Sequence, residues 1–153
     1  MDYFSGVGSS ELRSLINDIR QLQRDHNHQE RDNESLVEKF FACLGYSSVS
    51  EIKFRRNNID ILIANNNESL ITVEVKRRWS LNKNDIKTLR QAFNYSMESG
   101  TRYVMISNGD YYVLYDRNLG HKYDDMFKFE FTLTKLKEKD LEKVNYLRKG
   151  KLP

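Results

Sequence analysis

Asn58-Ile59-Asp60-Ile61-Leu62-Ile63-Ala64-Asn65-Asn66-Asn67-Glu68-Ser69-Leu70-Ile71-Thr72-Val73-Glu74-Val75-Lys76 is the stretch on which the reading of this chain turns. Two apolar, β-branched runs flank a row of asparagines, so residues 58–64 and 69–77 are expected as strands joined by a turn. Up to Lys76, the charged residues inside those runs are Asp60, Glu74 and Lys76. A lone carboxylate in such a strand is costly unless it is paired or binds a cation. Side chains alternate along a strand, so Glu74 and Lys76 project from one face, and in a hairpin Asp60 reaches that face too. Two carboxylates and an ammonium would then converge. Such a set suits Mg²⁺, which prefers oxygen ligands and keeps several waters. The ion would polarise a phosphodiester and lower the pKa of a bound water, while the lysine stabilises developing negative charge. A cross-strand ion pair on a solvated sheet face is the alternative reading of the same residues.

Working outward, residues 9–25 read as a helix, with Leu12, Leu15, Ile16, Ile19 and Leu22 at helical spacing and Ser9 or Ser10 as its cap. Residues 26–32 form a polar junction or continue that helix. A second helix is expected over 33–44, with Leu36, Val37, Phe40, Phe41 and Leu44 on one face and Gly45 ending it. Residues 51–55 give a further strand. Residues 82–99 give a helix with Ile86, Leu89, Phe93 and Met97 on one stripe, closed by Gly100. Strands at 102–107 and 111–115 surround Asn108-Gly109, a hairpin signal in which both residues tolerate positive φ. Phe127, Phe129 and Phe131 alternate as a short strand, and a basic helix near 138–149 closes the chain. The order α-α-β-β-β-α-β-β, with a strand and a helix after it, predicts an α/β fold: a mixed sheet flanked by helices.

The chain has 153 residues, 12% aromatics and 39% hydrophobic residues, enough for one core and one domain. No apolar run approaches the ~20 residues of a membrane span, so no membrane association is expected. Met1-Asp2-Tyr3-Phe4 lacks the layout of a signal peptide. The single Cys43 excludes an intramolecular disulfide and a Cys-cluster zinc site. A cytoplasmic, reducing compartment is the expectation. The net charge of +3 is unevenly spread: residues 51–90 carry nine basic and five acidic side chains, and residues 133–153 carry seven and three. The first block, with Arg55, Arg56, Arg77, Arg78, Lys83, Lys87 and Arg90, points to a polyanion partner; an ordinary solvated surface is the competing reading. The C-terminal lysines read either as phosphate contacts or as aids to solubility.

Three further residues join the candidate site. Glu34 opens the second helix at the border of its apolar face, where it can look over the sheet edge; a helix-dipole role in the first turn is its alternative. Gln91 and Tyr95 stand i, i+4 on a helix face away from the apolar stripe, so burial does not explain them.

This constellation resembles the PD-(D/E)xK nuclease superfamily, and most of all the N-terminal nuclease domain of type I restriction enzyme motor subunits. The similarity runs from Asn33-Glu34 and Leu44-Gly45-Tyr46 through Asp60 and Glu74-Val75-Lys76 to Gln91-Ala92-Phe93-Asn94-Tyr95, Ser107-Asn108-Gly109 and Tyr112-Val113-Leu114-Tyr115-Asp116. It implies a restriction-endonuclease-like fold with a nuclease core over 33–116, an N-terminal helical extension over 1–31 and a C-terminal strand and basic helix over 125–153. It also implies Mg²⁺-dependent cleavage of DNA, with Mn²⁺ able to substitute. Asp60 and Glu74 would be metal ligands, Glu34 a direct or water-mediated ligand, Lys76 the catalytic lysine, Gln91 an organiser of the lysine or the scissile phosphate, and Tyr95 its support. Arg55, Arg56, Arg77, Arg78, Lys83 and Lys87 are the candidate DNA contacts. Ile59 stands where the superfamily's name has proline, and no G-x4-GK-[ST] motif is present. The chain is therefore expected to act as a free-standing nuclease, as a subunit beside a separate motor or other defence-complex subunit, or as a repurposed binding module, with a homodimer as a further candidate assembly. Two alternatives remain: a non-catalytic DNA-binding or assembly subunit, and a Holliday-junction resolvase, which belongs to another branch of the superfamily. Trp79 and Cys43 are assigned to packing, and His121 to the surface.

Overall fold

The computed structural model describes residues 9–56 and 58–153; Met1-Asp2-Tyr3-Phe4 and the rest of the first eight residues lie outside the described residues. Two helices, α1 (Ser9–Gln23) and α2 (Glu30–Cys43), precede strands β1 (Ile52–Arg56), β2 (Ile59–Asn65) and β3 (Glu68–Val75). Helix α3 (Ile86–Ser99) crosses over to β4 (Tyr103–Ser107) and β5 (Tyr111–Asp116), and the short α4 (Tyr123–Met126), β6 (Phe127–Thr132) and α5 (Leu141–Tyr146) follow. The strands form one sheet in chain order, β1-β2-β3-β4-β5-β6. Every neighbouring pair is antiparallel except β3 and β4, which run parallel. Antiparallel neighbours can be joined by tight turns, whereas a parallel pair needs a long connection; α3 supplies it. The expected mixed α/β sheet flanked by helices is the fold found, consistent with a restriction-endonuclease-like architecture. Among the described residues, no helix is long and apolar enough to cross a membrane.

Each face of the sheet has its own core. On one side, Leu15, Ile19, Val37, Phe40 and Phe41 of α1 and α2 pack with Ile61, Ile63, Ile71, Val73, Val75 and Tyr112. Phe40 meets the Tyr112 ring at 4.5 Å. Each such side chain contributes about 1.5–3 kcal/mol by leaving water. On the other side, Leu89, Ala92 and Phe93 of α3 cover Val104, Ile106, Val113 and Tyr115.

Several expectations need correction. Helix α2 starts at Glu30, three residues before the expected start at residue 33, because Asp32 turns back to accept the Gln29 N–H at 2.7 Å. Ser10 lies inside α1 and donates to Glu11, so it does not cap that helix. Helix α3 starts at Ile86, not residue 82, because Asp85 caps it by accepting the Thr88 N–H and hydroxyl. Its buried stripe is Leu89, Ala92, Phe93 and Ser96, while Ile86 and Met97 are 50% and 64% exposed at its two ends. Of Asn108 and Gly109, only the glycine has positive φ. The Asn108 side-chain oxygen instead accepts the Asp110 and Tyr111 N–H groups at 2.9 and 2.8 Å and folds the loop itself. Phe129 and Phe131 join the α1/α2 core, but Phe127 packs on the α3 side, because the β5–β6 register shifts between Leu114 and Tyr115. The C-terminal helix is shorter than expected: a 3₁₀ turn, Glu138–Asp140, leads into α5. Beyond it the Lys149 N–H bonds Leu44 O at 3.0 Å, so the backbone docks on the end of α2 where a longer helix was expected. Cys43 is half-buried at the rim of the core rather than within it.

Candidate active site

Val73 and Val75 face the α1/α2 core, so their neighbours in β3 must face the other way. Thr72 does: its hydroxyl meets Thr101, just past α3, at 2.8 Å. Glu74 and Lys76 follow the same alternation. In β2, Ile61 pairs with Val73, which puts the preceding residue, Asp60, abreast of Glu74. The hairpin thus brings Asp60, Glu74 and Lys76 together on one face. Asp60 accepts the Val75 N–H at 2.8 Å, which anchors its carboxylate to the neighbouring strand. Lys76 Nζ lies 3.4 Å from Glu74 Oε1.

Glu74 is 4% exposed. Burial, then the Asp60 charge, push its pKa up to about 7, against the pull of Lys76. Folding therefore takes up a proton at Glu74 between about pH 4.5 and 7, and stability falls as pH rises through that window. In EDTA, Glu74→Gln is expected to be more stable than wild type by about 2 kcal/mol near pH 8 and to lose that advantage near pH 5. Thermal unfolding across this range checks it; a difference independent of pH would refute the assignment.

Helix α2 brings further acids to the same place. Glu34 lies in the second turn, not the first, so the helix-dipole reading does not apply to it; it is 2% exposed. Arg55 reaches it from β1 in a bidentate fork: Nη1 donates to Oε1, and Nη2 donates to Oε2 at 2.8 Å. The same Nη1 donates to Asp60 Oδ1 at 3.2 Å. Arg55 thus engages the acid cluster, and its backbone has the unusual φ of +57°. Glu30, one helical turn before Glu34, is a fourth acid of this group. Burial, then the Asp60 charge, raise its pKa, with Glu34 adding to the rise and Lys76 and Arg55 opposing it. Sequence reasoning missed Glu30, although its i, i+4 spacing from Glu34 was the available signal.

Polar bonds hold the chain just past Lys76. The buried Asn33 amide donates to Asn108 O at 2.7 Å and Arg77 O at 3.3 Å. Asn108 donates to Arg78 O at 2.9 Å, and Lys76 N–H to Ser107 O at 2.9 Å. His28 Nε2 contacts Arg77 O at 3.1 Å, and Trp79 packs against the His28 ring. The strand end carrying Lys76 is therefore pinned to α2 and to the β4–β5 loop.

The other proposed site residues are more dispersed. Gln91 donates to the Tyr95 hydroxyl at 3.3 Å, and no hydrogen bond links it to Lys76. Both line a cleft of about 290 Å³ on α3 together with Lys87, Arg90 and Asn94. Of the candidate DNA contacts, Arg56 and Lys87 are exposed. Arg78 is exposed but lies 3.4 Å from Asp85, and Lys83 lies 3.6 Å from Glu130. Arg77 is exposed as well, and its Nε donates to His28 O at 2.7 Å.

Among the described residues, no three His, Cys, Asp or Glu side chains stand close enough to cage a metal ion as placed. The donor chemistry at Asp60 and Glu74 fits a hard divalent cation nonetheless. Their charges act on each other from adjacent strands, and Mg²⁺ is commonly held by one or two carboxylates with waters completing its shell. Both oxygens of Glu34 are bonded by Arg55.

A family model described as the N terminus of the type I restriction enzyme R protein matches residues 47–129, more than half of the chain. The match includes Asp60, Glu74, Lys76, Gln91 and Tyr95 and leaves out Glu30 and Glu34. No curated protein and no solved structure matches the chain.

Proposed function

As the chain belongs to the type I restriction enzyme R protein N-terminal family, we propose that it is a metal-dependent endodeoxyribonuclease of a restriction-like or other phage-defence system. The observation that carries this reading is the presence of Asp60, Glu74 and Lys76 on one sheet face, with Glu74 buried between the Asp60 carboxylate and the Lys76 ammonium. Asp60 and Glu74 would hold the cation, with Mg²⁺ as the first candidate and Mn²⁺ as a substitute. When bound, such an ion supplies Lewis acidity at the scissile phosphodiester.

The chain's own residues do the remaining work. Lys76 places its ammonium beside Glu74 and offers it to the negative charge that builds on phosphate oxygens. The Val75 N–H keeps the Asp60 carboxylate turned toward the neighbouring strand. The Asn33 and Asn108 bonds fix the backbone that follows Lys76. Gln91, Tyr95 and the cations of α3 offer a polar cleft for the DNA backbone. DNA and other restriction-complex subunits, including a separate motor, are the partners this reading implies.

A non-catalytic DNA-binding or assembly module is the second reading, favoured by the Arg55 fork filling the acid cluster. Incubation with supercoiled plasmid and single-stranded DNA separates the two. A nuclease is expected to nick with Mg²⁺ or Mn²⁺, to stop in EDTA and to be inactivated by Asp60→Asn. A binding module shows salt-dependent DNA affinity that Asp60→Asn leaves unchanged, and no cleavage with any metal or partner.

A further inference from the structure

Arg55 sits where a cluster of acids most needs positive charge. Glu34 has almost no access to water, and a buried carboxylate without a partner is strongly destabilising. The Arg55 fork satisfies both of its oxygens, and one arm also reaches Asp60. Yet the arginine is held in a way that allows it to leave. Its side chain is 55% exposed, against 2% for Glu34 and 17% for Asp60. It stands on β1, an edge strand of the sheet. Its φ of +57° is an uncommon conformation for a residue with a Cβ, so the backbone does not favour this placement by itself. The acids hold the arginine; the strand does not.

We propose that Arg55 is a resident counter-cation of the active site, which a divalent ion must displace from Asp60 before the acids can bind it. This rests on the nuclease reading above and adds a regulatory element to it: metal affinity is set by competition with a side chain of the same chain. Lys76 is not an equivalent blocker. It contacts Glu74 rather than Asp60 and is part of the proposed machinery.

Calorimetric titration of MnCl₂ into metal-free wild type, Arg55→Ala and Arg55→Lys near neutral pH tests the proposal, with circular dichroism to check that each variant is folded. Competition predicts that Arg55→Ala binds Mn²⁺ about tenfold more tightly than wild type, the size of an ordinary coupling between two ligands. Arg55→Lys, which keeps a cation beside Glu34 but cannot make the fork, is expected to fall between the two. Equal or weaker Mn²⁺ binding in Arg55→Ala, with clear binding in wild type, overturns the displacement proposal and leaves the nuclease reading intact. If Arg55→Ala does not fold, Arg55→Lys decides by the same criterion. No Mn²⁺ binding by any of the proteins overturns both.

Discussion

Lys76→Ala is expected to lower metal-dependent DNA cleavage by about two to three orders of magnitude, the usual effect of removing one charge-stabilising donor from a reacting centre. The ammonium is the cation nearest Glu74, at 3.4 Å, and it projects from the face that also carries Asp60. Among the described residues, no other basic side chain forms an ion pair with Glu74 to take its place: Arg55 is turned to Glu34 and Asp60, and Arg77 to the carbonyl of His28. The fold is expected to survive, because Lys76 lies outside both hydrophobic clusters and its backbone N–H still bonds Ser107 O. Single-turnover cleavage of plasmid, with DNA affinity from fluorescence anisotropy, gives the two readouts. The rate should collapse while affinity changes only a few-fold, since one cation among many sets little of the salt-dependent term. Wild-type cleavage by Lys76→Ala would remove this residue from the chemistry.

The largest expected effect on stability is at Gly109. Its φ is +95°, in the region that costs an L-residue about 1–2 kcal/mol. A Cβ there would also lie 2.8 Å from the Leu36 Cβ and 3.1 Å from Asn33 O. The β4–β5 loop passes so close to α2 that only a hydrogen fits. Overpacking of this kind adds about 1–3 kcal/mol. Gly109→Ala is therefore expected to lose about 2–5 kcal/mol, or roughly 10 °C in Tm for a domain of this size. Gly100→Ala is the control: φ is +72°, but nothing lies within 4 Å of its Cβ position, so only the backbone cost of about 1 kcal/mol applies. Thermal unfolding of both variants checks the difference, and equal losses would place the whole effect in the backbone. Because Asn33 and Asn108 meet at this contact and also bond the carbonyls after Lys76, Gly109→Ala should weaken the site's support as well as the fold.

Much of this architecture can be read from local pattern. The Asp60 hairpin, the β3-α3-β4 crossover and the apolar faces of α1 and α2 follow from period-2 and period-3.6 spacing, because side-chain direction is a local property of strands and helices. Helix boundaries were less legible. The starts of α2 and α3 depend on the carboxylates of Asp32 and Asp85, and whether such groups cap a helix depends on backbone geometry that composition does not reveal. Trp79 was assigned to packing, and it packs on the core beside His28.

For the candidate site, the sequence by itself determined the hairpin and the shared face of Asp60, Glu74 and Lys76, since alternation along paired strands leaves no other arrangement once the register is set. Only the tertiary structure decided what surrounds them. Glu30 joins Glu34 from a helix that reaches the sheet through packing, Arg55 turns to the buried Glu34 and to Asp60, and Arg77 bonds the carbonyl of His28. Charge in sequence has no direction. Whether a guanidinium faces solvent or a carboxylate depends on which segments, distant along the chain, the core brings side by side.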